Sequence, residues 1–160
     1  MYFIDIKQLK EDIINDEFSE RDTFIYFFVT VILNTIFMEI DNYIPSEEII
    51  FLDYVNSFIT IVIIITGTYL MYKGNGGEKG EGFIERYISI TWVMSIILLL
   101  PLLIGVIFSV VIFNFFTSIL SEFDILILFI YVGYFIYIFA LYFYSYKHIV
   151  DINKRIKEKS

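Results

Sequence analysis

The sequence predicts an all-α, polytopic membrane protein: a four-helix transmembrane bundle made of two hairpins, both termini cytoplasmic, with a short N-terminal amphipathic helix. Three observations carry this prediction. The chain of 160 residues is 58% hydrophobic and 20% aromatic, with a mean hydropathy of +0.75, well above the roughly 45–50% apolar usage of soluble domains. Four windows, residues 23–40, 49–72, 87–113 and 125–146, reach the roughly 18 apolar residues needed for a spanning helix. Finally, all 11 lysines and arginines fall before the first window, between the second and third, or after the fourth. Basic residues beside spans are retained in the cytoplasm, so residues 41–48 and 114–124 are expected outside.

Three parts follow: a cytoplasmic amphipathic helix at 1–22, a transmembrane domain at 23–146 and a basic cytoplasmic tail at 147–160. The localisation expected is the inner (plasma) membrane. A single alanine amid abundant Ile, Phe, Tyr, Asn and Lys points to an AT-rich, bacterial genome.

Residues 2–18 have helical periodicity: Tyr2, Phe3, Ile6, Leu9 and Ile13 gather on one side, and Asp5, Gln8, Glu11 and Asp12 on the other,. Seven acids against three bases up to Asp22 argue against adsorption to an anionic leaflet. The helix is expected to pack on its own bundle or on a partner, with the basic tail as its electrostatic mate. No basic region followed by an apolar run and a cleavage site precedes it, so no removable signal peptide is read.

The first span places Thr30, Asn34, Met38 and Asp41 along one face and Glu39 opposite. The second carries the most informative pattern. Asp53, Asn56, Ser57, Thr60, Gly67 and Thr68 project to one side of a helix of 3.6 residues per turn,. Hydrocarbon cannot solvate such groups, so this stripe must face protein or water. It is read either as interhelical hydrogen bonding or, with Asn34, as a pore lining. Asp53 within a span is a functional candidate by default, and with Glu39 and Asp41 it forms an outer carboxylate cluster able to concentrate cations. No ordered metal-ligand spacing accompanies it.

Between the hairpins, residues 73–86 hold five of the eight glycines. Neither Gly-x-x-x-x-Gly-Lys-Ser/Thr nor Gly-x-Gly-x-x-Gly occurs there, so no phosphate loop is read and a solvated, flexible turn is expected. The third span is interrupted by Pro101, expected to bend it,. Thr91/Ser95 and Gly105/Ser109 are small pairs one turn apart that suit close helix contact, with Gly133 and Ala140 of the fourth span as a complementary face,. That span is rich in tyrosine and phenylalanine, and the hydroxyls of the deeper Tyr131, Tyr134 and Tyr137 need acceptors,.

Function classes narrow by exclusion. There is no cysteine, and the one histidine, His148, lies past the last span, which removes thiolate chemistry, most zinc sites and Ser-His catalysis. No cofactor, metal site or enzyme is read. The net charge of −8 leaves no basic groove for nucleic acid. The function expected is protein–protein interaction within the membrane, of partner-binding or immunity and regulatory type. The alternative is a homo-oligomeric channel or pore-forming effector lined by the second span. Expected partners are membrane lipid and either further copies of the chain or another membrane protein. In topology alone, a small protein with four spans and both ends cytoplasmic resembles the immunity proteins of pore-forming bacteriocins.

Overall fold

The computed structural model describes residues 2–41, 51–116 and 123–159. Among these, the regular elements are α1 (Ile6–Ile14), α2 (Glu20–Asp41), α3 (Phe51–Gly74), a 3-10 turn (Gly77–Lys79), α4 (Phe83–Phe116) and α5 (Phe123–Lys159). The described chain is thus all-helical apart from short connections. Two stretches, Asp53–Gly74 and Phe83–Phe108, are long and apolar enough to cross a membrane. Of the two loops expected outside, residues 42–48 lie beyond the described residues, as do 117–122, while 114–116 belong to α4 and 123–124 to α5.

Local chemistry sets the helix ends. The Asp5 carboxylate accepts the Gln8 amide at 3.0 Å and starts α1,. Asp16, at φ 60°, turns the chain into the left-handed region just past Asn15,. α1 is therefore shorter than the periodicity of residues 2–18 implied. Ser19 and Asp22 cap α2 reciprocally, the Asp22 amide donating to Ser19 Oγ at 3.2 Å and the Ser19 amide to Asp22 Oδ2 at 3.3 Å,. The Ser19 hydroxyl also holds the Asp22 carboxyl below its ordinary pKa,. α4 continues through Pro101 as one helix. The segment expected as a separate basic tail is the last part of α5, which runs unbroken to Lys159.

Packing departs from the two-hairpin expectation. α4 and α5 do pair, but α3 packs on α5 and α2 on α4, with no extensive interface between α2 and α3 among the described residues. The reason lies in the small residues of α3. An added Cβ at Gly67 would sit 2.7 Å from Tyr142 Cγ, and one at Gly74 would sit 2.7 Å from Val150 Cγ2 and 3.0 Å from the Tyr146 ring. Only glycine admits these α5 side chains so close to the α3 backbone.

The densest core lies at the end of the bundle where α1 crosses α4 and α5. Leu9, Ile14, Tyr26, Met71, Ile90, Val93, Ile149 and Ile152 meet there, almost all fully buried. The Tyr26 hydroxyl accepts the Tyr2 amide at 2.6 Å and donates to the Tyr2 carbonyl at 2.9 Å. Charges complete the junction: Lys10 pairs with Asp151, Arg155 donates to Glu11 at 2.7 Å, and Lys159 to Asn15 at 2.5 Å. The α1–tail pairing read from charge is present, although Lys10–Asp151 runs with the signs reversed. Lys10 holds the Asp151 carboxyl below its usual pKa, while burial and then Lys10 push the His148 imidazole down against the pull of Asp151,.

The glycine-rich connection is closed rather than freely solvated. Asn75 is fully buried. Its Nδ2 donates to the Glu81 carbonyl at 3.1 Å, and its Oδ1 accepts from Arg86 Nη1 at 2.7 Å. Asn153 of α5 donates to the Gly74 carbonyl at 3.0 Å. Gly76 and Gly77 take φ of 108° and 59°, which side-chain-bearing residues adopt rarely. A Cβ on Gly80 would lie 2.8 Å from Asn75 Nδ2. The glycines thus let the chain wrap an asparagine.

Candidate functional site

The α3 stripe faces protein along part of its length. Asn56 and Thr60 are half-buried, and their Oδ1 and Oγ1 atoms are enclosed without hydrogen-bond partners. Asp53 is half-buried, whereas Ser57 is exposed. Thr68 lies beside Tyr142, so from Gly67 to Gly74 α5 covers the stripe. Asn34 stands apart, on α2, with its amide donating to the Thr30 carbonyl at 2.9 Å. Glu39 is exposed and the Asp41 side chain lies outside the described set. Among the described residues no three acidic, histidine or cysteine side chains are grouped for a metal; the outer carboxylate cluster expected of Glu39, Asp41 and Asp53 includes a side chain outside the described set.

The structure brings a different set together. α2, α4 and α5 enclose a cleft of about 610 Å³, with Thr30 and Asn34 on one wall, Thr91 and Ser95 on another, and Tyr137 and Tyr142 behind. Each small hydroxyl is bonded to a carbonyl of its own helix: Thr30 to Tyr26 at 2.7 Å, Thr91 to Tyr87 at 2.5 Å, Ser95 to Trp92 at 2.7 Å. Their protons are spent and their lone pairs remain, which gives the cleft an acceptor-rich lining. The Tyr87 and Tyr142 hydroxyls are 3.4 Å apart, and Tyr137 donates to the Ser95 carbonyl at 3.4 Å. Trp92 lines the same cleft with its Nε1–H buried and unpaired. No charged side chain is among the lining residues.

Sequence reasoning missed this cleft. Thr91 and Ser95 were expected to bring helices into contact, yet they flank a space. Their register with Thr30 and Asn34 could have been found only once α2 was known to lie on α4.

A second hollow of about 460 Å³ separates α4 from α5 at Pro101, Gly105, Gly133 and Ala140, and apart from Tyr137 its remaining lining is aliphatic. A Cβ added at Gly105 or Gly133 would meet nothing within 4 Å. The close helix contact expected from Gly105 and Gly133 is therefore not made.

Beyond these sites, α2 is nearly unsupported. Tyr26 is its sole buried residue among those described, and every position from Val31 to Ile36 is exposed. Comparison with family models, curated proteins and solved structures finds no match.

Proposed function

We propose that the chain is a small multi-pass protein of the inner membrane, crossing it four times through α2, α3, α4 and α5, with both termini and the glycine-rich connection cytoplasmic. It acts by binding another protein within the membrane, in a partner-binding, immunity or regulatory role. One observation carries this reading: the exposed half of α2, in which Asn34 and Thr35 stand uncovered among Val31, Ile32, Leu33 and Ile36. In hydrocarbon an amide and a hydroxyl on an uncovered face favour a protein neighbour that offers polar contacts, each worth about 0.6 kcal/mol.

The test is a photoreactive residue in place of Ile32, with another in place of Tyr69 on the exposed face of α3 as control. A discrete adduct at Ile32 alone, diminished by Thr35→Val, is the expected result. An adduct that proves to be a second copy of this chain assigns the face to self-association. Adducts only to lipid at both positions would refute the reading.

A second reading, a homo-oligomeric channel, rests on the polar stripe of α3, where Ser57 is exposed and Asp53, Asn56 and Thr60 are half-buried. Ion flux in liposomes that disappears with Asn56→Leu would support it, and a strictly monomeric detergent complex would count against it.

A further inference from the structure

The cleft between α2, α4 and α5 points to a different occupant from the α2 face. We propose that it binds one uncharged, hydroxyl-bearing lipid of the cytoplasmic leaflet, of the diacylglycerol class. The inference goes beyond partner binding, but shares with it the membrane orientation set by the basic residues.

The first argument is the match of polarity with depth. Tyr87 follows Arg86 at the cytoplasmic edge, and the hydroxyls of Tyr87, Tyr142, Thr30 and Thr91 lie in that part of the cleft. Asn34, Ser95 and Tyr137 continue the polar lining beside Leu33, and Ile96 and Leu99 lie beyond Ser95 along α4. At 1.5 Å per residue, Leu99 is about 18 Å above Tyr87 along α4, near mid-bilayer. Polar groups thus run for about 12 Å from Tyr87 to Ser95,, a length that suits a glycerol head with its ester carbonyls, and Ile96 and Leu99 continue the cleft for an acyl chain.

Charge and hydrogen bonding select the head. No cationic side chain lines the cleft, so a phosphate drawn into it would lose its water without gaining a counter-charge. The Thr30, Thr91 and Ser95 oxygens accept but have no proton left to give, and a ligand hydroxyl supplies the missing donor. The volume of about 610 Å³ is that of small-molecule sites, roughly 300–1,000 Å³.

Trp92 is the one tryptophan of the chain and reports on its own site. The full chain in phosphatidylcholine nanodiscs is titrated with diacylglycerol brominated on its acyl chains and, separately, with brominated phosphatidylglycerol. Diacylglycerol is expected to quench Trp92 in a saturating curve at low mole fraction, phosphatidylglycerol only in proportion to its abundance. Thr91→Val with Ser95→Ala removes two acceptors and should raise the diacylglycerol needed for half-saturation about tenfold. Thr66→Val, which removes an exposed hydroxyl of α3, should leave the curve unchanged. Equal, unsaturable quenching by both lipids would assign ordinary boundary lipid and overturn the proposal, as would an unaltered curve for the double variant with native circular dichroism. A chain that fails to enter nanodiscs overturns the membrane reading itself, an outcome distinct from entry without saturable quenching.

Discussion

Replacing Asn75 tests whether the glycine-rich connection is a structural joint. Asn75 is fully buried, with one neutral hydrogen bond to the Glu81 carbonyl and one from the Arg86 guanidinium at 2.7 Å. A neutral bond contributes about 1 kcal/mol and one to a charged group about 1.5–3 kcal/mol. Asn75→Ala loses both and leaves Arg86 half-buried without this partner, so about 3 kcal/mol of stability should go. Asn75→Asp retains the acceptor for Arg86 and adds an opposite charge, but loses the donor to Glu81, so the loss should be about 1 kcal/mol. The difference between the variants carries the argument, because a general disturbance of the turn would affect both alike. Reversible unfolding in mixed detergent micelles, followed by circular dichroism, measures it. Equal losses for Ala and Asp, or losses below about 0.5 kcal/mol for both, would refute the reasoning.

Further predictions concern α1, the glycines and the topology. Acid should loosen α1: His148 and Asp151 both titrate below their ordinary values. The stability they give is present above about pH 6.5 and about pH 4 respectively, and is lost as pH falls below each. Alkali should act in the opposite sense on Tyr2, pushed up to about 12 chiefly by its hydrogen bond to the Asp12 carboxylate, with its contribution lost between about pH 10 and pH 12. Fluorescence anisotropy of a label on Gln8→Cys, in this cysteine-free chain, would follow both, and a mobility flat from pH 4 to pH 8 would contradict the first. Gly67→Ala drives a methyl into the Tyr142 ring and should cost about 1–3 kcal/mol. Gly133→Ala meets open space and should gain about 0.5–1 kcal/mol from helix propensity; thermal unfolding separates the two signs. For topology, Lys79→Cys should react with an impermeant maleimide only after the membrane is opened, and Ser46→Cys from outside, the reverse pattern showing the opposite orientation.

Much of the fold could be read along the chain because apolar length and helical period are local properties. The amphipathic start, the inward turn of Asn56 and Thr60, and the acid–base match between Glu11 and Arg155 all came from spacing and charge. Helix partnership did not, because surfaces of Ile, Leu and Phe are nearly interchangeable and no period separates a face turned to α4 from one turned to α5. That α3 lies on α5 depends on Gly67 and Gly74 opposing Tyr142 and Tyr146, a match between residues more than 70 positions apart. The connection was misread for a related reason. Glycines that enclose a side chain and glycines that merely loosen a turn have the same composition, and only Asn75 and Arg86 together distinguish them. The cleft needed the same partnership, since Thr30 and Thr91 line one space only after α2 has settled against α4.

One further consequence comes from the continuity of α5. At 37 residues it is about 55 Å from end to end, and no break separates its far tip from the turns that grip α1 through Asp151 and Arg155. Such a shaft behaves as a lever: a tilt imposed at Phe123 reappears as a swing at Ile152, where α1 is seated. A displacement at either end is then carried through one helix, with no loop between.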